Sequence, residues 1–267
     1  MFLVYENGEA FWQDNEMLLK KNRLETVFFE SNAKGLTDSR KGFAVKVEEG
    51  SRILVALSYL HHPMVLFGDP NLCASLAEGL IAKNLCFQRV LGKKELTEEF
   101  LKQYERRVGG HHQISHQLAI MTCSVCADCN TDMVEQATLN DVDAVFSLLK
   151  EASKEMKTDA PDYETILSQI HDFAVIRKQG TIISLAKRVR QTSDLCAISA
   201  VFTVFSERGK GLARKTVTYL TKTILKKGKI PYLFVDQSNP VSNHLYLSIG
   251  YRYAIEQIEI SYCPFNK

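Results

Sequence analysis

The stretch Val204–Lys215 reads VFSERGKGLARK. It closes a β-branched strand, Ala197–Phe205, and opens a segment in which Ala213, Val217, Leu220 and Ile224 recur at helical spacing as a core-facing stripe. Arg214, Lys215, Lys222, Lys226 and Lys227 lie off that stripe. In a strand–loop–helix of this kind, the N–H groups of Gly209–Ala213 are the unsatisfied donors of a helix start. They carry partial positive charge and favour an anion. Gly209 and Gly211 let the main chain approach it closely. The loop can therefore hold a pyrophosphate without a metal ion; the plain alternative is a strand-to-helix turn that uses glycine.

Two nucleotide loops fit less well. A P-loop needs Gly-Lys-Ser/Thr, because the hydroxyl holds magnesium, and here Lys210 is followed by Gly211. A dinucleotide fingerprint needs a third glycine where Arg214 stands. Asp236 imitates its ribose-binding acid, but only one helix and one strand remain beyond it, too little for a doubly wound sheet.

Outward from the loop, helix and strand signals alternate, which predicts a mixed-sheet α/β (α+β) protein. The first part reads as a helix over 15–32, a hairpin of FAVKVEEG and SRILVALSYL around Glu49-Gly50, and an apolar helix LCASLAEGLIAKN after Gly68-Asp69-Pro70. A strand near CFQRVLG, a charged helix KKELTEEFLKQYERR with a glycine stop, and a strand HQLAIMTC follow. His61-His62-Pro63 and His111-His112 read as surface turns. Ser124–Met133 is small and polar, a linker, so the domains are predicted as 1–130 and 131–267.

The second part opens on a strand MVEQAT and a helix over 140–156 with Val142, Val145, Phe146, Leu148 and Leu149 as its stripe. A helix over 163–171 behind Pro161 and strands FAVIRK and TIISLAKRV come next. After the glycine loop and its helix stands a strand PYLFVD. Asn239 then suits an N-cap, Pro240 a first helical position and Gly250 a C-terminal stop, so Pro240–Ile249 is a short helix. Val241, Leu245 and Ile249 are its predicted buried side, with Tyr246 toward an edge.

Arg208-Gly209-Lys210-Gly211-Leu212-Ala213 matches the Arg/Gln-x-x-Gly-x-Gly/Ala signature of the GNAT acetyltransferases, and LFVDQSNPVSNHLYLSIGYR resembles that family's second coenzyme motif. The resemblance covers about residues 134–260 and implies a C-terminal GNAT fold. More loosely, the first half resembles a degenerate GNAT-like domain in a branch of predicted acetyltransferases related to glycine N-acyltransferases; no coenzyme signature appears in it.

The resemblance implies an N-acyltransferase using acetyl-CoA, or another acyl-CoA, as co-substrate. It implies that Phe202, Thr203 and Val204 bond the pantetheine arm by main chain. Arg208, Gly209, Lys210, Gly211, Leu212, Ala213, Arg214 and Asn239 complete the coenzyme site, and Tyr246 is the acid for the leaving thiolate. The family's glutamate base is missing: the strand offers only Ser199 and Thr203 as polar side chains. Glu207 and Asp236 are the substitutes, with a chain of water favoured over either. That gap sustains a rival reading, a non-catalytic acyl-CoA-binding sensor.

Thirty-three basic and 31 acidic residues give a net charge of +2, which argues against a general nucleic-acid or membrane binder. The expected acceptor is an amine of a small molecule, amino acid or protein, and the expected assembly a monomer or homodimer. Glu6 and Glu9 precede any long apolar run, so no secretory signal is read. Seven cysteines, an odd count, suit reduced thiols in the cytoplasm. Cys123, Cys126 and Cys129 have thiolate-metal spacing, with His111, His112 or His116 as a fourth ligand. The complementary second pair is missing, and no metal is expected.

Overall fold

The computed structural model describes residues 1–156, 158 and 161–265. They form two compact units: residues 1–120 with 236–238 and 255–265, and the described residues of 121–235 with 239–254. Each is described by itself.

The first unit begins with strand β1 (Phe2–Val4), helices α1 (Gly8–Lys21) and α2 (Val27–Gly35), and strands β2 (Gly42–Glu49), β3 (Arg52–Tyr59) and β4 (Met64–Gly68). Helix α3 (Cys73–Ala82), strand β5 (Arg89–Gly92), helix α4 (Lys94–Val108) and strand β6 (His111–Thr122) follow. The sheet is mixed. β1–β2–β3–β4 pair antiparallel, β4 and β5 pair parallel, and β5 pairs antiparallel with residues 258–261 of the chain's last strand. The hairpin turns where predicted, with Glu49 opposite Arg52. Side chains alternate between two cores: Val45, Leu54 and Leu66 pack with α3 and α4, whereas Ala44, Val55 and Leu57 pack with α1 and α2. Burial on both faces explains the near-continuous apolar run of β3.

Two local expectations are corrected here. The single helix over 15–32 is two helices. Asn7 caps α1 by accepting from Ala10 N at 2.9 Å. Thr26 Oγ1 donates to Leu19 O at 2.8 Å and draws the chain away from the helix axis. His111 and His112 are not a turn. The turn is made by Gly109 and Gly110, both at positive φ (75° and 101°), and β6 starts directly after them.

The second unit contains β7 (Val134–Gln136), α5 (Val142–Met156), α6 (Tyr163–Ser168), β8 (Phe173–Lys178), β9 (Thr181–Val189) and β10 (Leu195–Thr203). It continues with α7 (Leu212–Lys226), β11 (Ile230–Asp236), α8 (Pro240–Ile249) and the start of β12 (Arg252–Cys263). The helix expected over 163–171 stops at Ser168, and a single 3-10 turn covers Ile170–Asp172. β7, β8, β9 and β10 pair antiparallel in that order, and β11 pairs parallel to β10 across the α7 crossover. Val142, Val145 and Leu148 of α5 join Phe173, Val175 and Leu185 in one core cluster. Val217, Leu220 and Ile224 of α7 are buried as the helical spacing predicts.

Candidate functional site

β10 and β11 pair only at Leu195/Ile230, Cys196/Pro231 and Ala197/Tyr232. Beyond Ala197 the pairing stops. Ala200 takes φ of 49°, and the register of β10 against β9 slips between Ser199 and Phe202. This bulge bends β10 away and leaves main chain without a strand partner on that side. Val204 N–H is committed to Ile183 O at 3.0 Å. By antiparallel alternation, Phe202 is the other residue bonded to β9, and Thr203 N–H points to the open side. Of the three residues expected to offer main chain, Thr203 is the one turned outward. Its hydroxyl is held by Ser184 Oγ at 2.9 Å.

The glycine loop sits at the end of this strand. Gly209 and Gly211 have φ of 76° and 73°, and a Cβ on either meets nothing within 4 Å. These glycines are needed for their left-handed backbone, and the space beside them is free for a ligand. Gly211 is the N-cap of α7 without any side-chain cap, and the first helical bond is Lys215 N–H to Gly211 O at 3.2 Å. The amides of Leu212, Ala213 and Arg214 therefore have no partner among the described residues.

The charged side chains of the loop are tied to the protein. Arg208 donates to Thr203 O at 2.9 Å and to Glu155 at 2.7 Å, and its guanidinium lies 5.4 Å from the Phe202 ring centroid. Lys210 pairs with Glu207 at 2.8 Å. Arg214 donates to Ser248 O at 3.3 Å, while its Nε is buried and has no partner among the described residues. Asn239 Oδ1 accepts from Ser242 N at 3.1 Å and caps α8 as predicted.

A cavity of about 680 Å³ unites these parts; Thr203, Gly209, Gly211, Arg214, Asn239 and Tyr246 line it. Phe202, Arg208, Leu212 and Ala213 also border it. A second cavity of about 570 Å³ lies in the same unit and shares Val201, Phe202, Ser242 and Tyr246 with the first.

Helix α8 departs from its expected orientation. Its buried side is Asn243, Tyr246 and Ile249, an i, i+3, i+6 row, whereas Val241 is 78% exposed. Tyr246 is 8% exposed rather than at an edge. Tyr253 Oη, which donates to Asn243 Oδ1 at 2.5 Å, helps fix this face. Burial pushes the Tyr246 phenol up to about 12, and its hydroxyl has no hydrogen-bond partner among the described residues.

Neither substitute base is idle. Glu207 bonds Lys178 at 2.7 Å as well as Lys210, and these bonds hold its carboxyl below the usual range. Burial disfavours the Asp236 carboxylate, but bonds from Ser238 and His116 outweigh this and lower its pKa. Cys123 Sγ is buried and donates to Val125 O at 3.3 Å, and burial pushes its pKa up to about 11. Among the described residues, no group of three or more His, Cys, Asp or Glu side chains is placed to hold a metal ion. No described helix is long and apolar enough to cross a membrane.

Ser184, Glu155 and Lys187, which position or line the site, belong to no motif; in the sequence they read as ordinary strand and helix-surface residues.

Comparison with known proteins meets this geometry. Residues 175–260 match the family model described as FR47-like protein. An acetyltransferase of the GNAT family from Colwellia psychrerythraea aligns over 99% of both chains, with a TM-score of 0.62 at 12% identity. The fold is that of the GNAT acetyltransferases. A GCN5-related N-acetyltransferase from Sphaerobacter thermophilus covers 90% of this chain and 87% of its own, with a TM-score of 0.60 at 16% identity. A Drosophila protein aligns over 99% of both chains, with a TM-score of 0.65 at 11% identity. No curated protein matches the sequence. The β10 bulge, the glycine loop and α8 frame one cavity.

Proposed function

We propose that this protein is an acyl-CoA-dependent N-acyltransferase that uses acetyl-CoA and transfers its acyl group to an amine. The observation that carries this reading is the meeting, in one cavity, of an uncapped helix start, an outward-turned strand amide and a buried, unpartnered phenol.

The coenzyme site fits its ligand. The amides of Leu212–Arg214 present donors to a diphosphate, and the two glycines leave room for it. Arg208 and Lys210 set the loop's shape through Thr203 and Glu207. Bound acyl-CoA supplies an activated thioester. Thr203 N–H is the donor for the carbonyl oxygen on which charge builds during attack, and a fixed donor of this kind contributes about 3–4 kcal/mol.

Tyr246 stays protonated through the neutral range and meets the leaving sulfur as a donor. A phenol near 12 is a weaker acid than a thiol of about 8.5, so Tyr246 stabilises the departing thiolate by hydrogen bonding while keeping its own proton, and the thiolate takes a proton from water. With Glu207 and Asp236 engaged, the proton of the attacking amine leaves through water.

We read residues 131–267 as the transferase domain of a cytoplasmic enzyme. Residues 1–130 would be a companion half of GNAT-like descent, as in the glycine N-acyltransferase-like branch; their lack of a glycine-loop motif supports this. The test is thiol release from acetyl-CoA across a panel of amines. Release with at least one amine is expected. Tight coenzyme binding without release from any would replace the transferase with a binding protein.

A further inference from the structure

The two cavities meet at four residues, Val201, Phe202, Ser242 and Tyr246. Under the transferase reading, thioester and amine come together at this boundary. Of the four, only Ser242 and Tyr246 carry side chains that form hydrogen bonds. They stand four positions apart on α8, so their Cβ atoms are about 5–6 Å apart on neighbouring turns. A helical side chain leans toward the helix N-terminus, which carries the Tyr246 ring back over the turn of Ser242. The Ser242 N–H is used: it donates to Asn239 Oδ1 at 3.1 Å. Its hydroxyl, like that of Tyr246, bonds no group among the described residues.

The other groups that could take a proton are engaged or stand elsewhere. Glu155 of the first cavity pairs with Arg208, and Glu207 pairs with Lys178 and Lys210. Asp162 of the second accepts from Thr165 N–H at 2.7 Å as the N-cap of α6. Lys187 and Arg190 line only the second cavity, as cations. His244 lines only the first. It is two positions from both Ser242 and Tyr246, about 200° round the helix from each.

We infer that Ser242 is a further catalytic residue, whose hydroxyl takes the proton of the attacking amine and hands it to water. The inference rests on the transferase reading and names the first link of the proton path which that reading requires. A serine hydroxyl donates and accepts at once, so it takes one proton as it releases its own and carries no net charge. The amine nitrogen bonds to the carbonyl carbon, its N–H proton passes to Ser242 Oγ, and the proton of Ser242 passes to water. The C–S bond breaks, and the thiolate takes a proton from water. Ser242 ends as it began. It is half-buried, which leaves water access to it. Ser242 and Tyr246 thus serve two different atoms, nitrogen and sulfur.

The test uses the full chain, acetyl-CoA and a panel of primary amines that includes methylamine and 2-phenylethylamine; kinetics follow with the amine that releases thiol fastest. Ser242→Ala keeps the Asn239 cap, which uses the main chain, and alanine is a strong helix former, so Tm should hold. Its kcat should fall about tenfold, the scale of one hydrogen bond, with KM for the amine and Kd for coenzyme A unchanged. Ser242→Thr keeps a hydroxyl and should keep most of the rate. Ser242→Ala combined with Tyr246→Phe should show the product of the two single losses, because the two hydroxyls act on different atoms. Unchanged kcat in Ser242→Ala, or an equal fall in Ser242→Thr, would overturn the inference. A loss confined to coenzyme A affinity would make Ser242 a binding residue and overturn it too. A double variant no slower than Tyr246→Phe would put both hydroxyls on the sulfur and overturn the assignment to the amine. No release from any amine would remove the transferase reading and this inference with it, whereas release that Ser242→Ala does not slow removes the inference alone.

Discussion

Arg208 Nε donates to the main-chain oxygen of Thr203 across 2.9 Å, so the residue before the glycine loop locks the strand end whose amide faces the cavity. The same guanidinium reaches Glu155 of α5. Arg208→Ala removes both bonds and should weaken coenzyme A binding about tenfold by calorimetry, the scale of one charged hydrogen bond. Glu155→Gln removes only an exposed pair, which contributes little, and should leave both affinity and Tm nearly unchanged. A larger loss from Glu155→Gln than from Arg208→Ala would contradict this division of roles.

Gly211 caps α7 at φ of 73° with open space beside it. Gly211→Ala meets no clash and pays only the left-handed backbone penalty, about 1–2 kcal/mol. The variant should fold with a lower Tm and retain part of the acetyl-CoA-induced rise. Gly211→Glu adds a charge where the diphosphate belongs and should abolish the rise. A comparable rise with ATP or NAD in the unmodified protein would point to a different nucleotide.

Tyr246→Phe deletes a hydroxyl that no described group bonds, so stability at neutral pH should hold. Turnover should fall about 10- to 100-fold, the range of one lost hydrogen bond to a charged group, with coenzyme affinity unchanged. Because burial raises this phenol, no loss of rate from its ionisation should appear up to pH 10. Unchanged turnover in the variant would remove Tyr246 from the chemistry.

Tyr251 is fully buried, and its hydroxyl meets Thr221 Oγ1 at 2.8 Å. Burial holds its pKa far above the ordinary value near 10. The folded state thus keeps a proton that the unfolded state releases. Stability from this group is fully present below about pH 10 and falls as pH rises above it. Tyr251→Phe should cost about 1 kcal/mol at pH 7 through the lost bond. It should also flatten the decline of the urea midpoint between pH 9 and 11. An equally steep decline in the variant would show that Tyr251 does not titrate on unfolding.

The sequence alone determined the local parts. Glycine spacing gave the loop, because only left-handed backbone at Gly209 and Gly211 turns this strand into this helix. Asn239, Pro240 and Gly250 bounded α8 because cap chemistry acts within a few residues. Tertiary structure decided which faces meet. Val241 and Tyr246 are both apolar enough to be buried, and only packing chose Tyr246. Packing also chose which of three consecutive amides, at Thr203, stays free, through a bulge that no motif encodes. It placed Lys187 over the Phe173 ring with Gln169 as its hydrogen-bond acceptor, although strand periodicity assigns it no special place. Caps and turns are short-range and written in neighbouring residues, whereas burial and electrostatic pairing depend on residues tens of positions away.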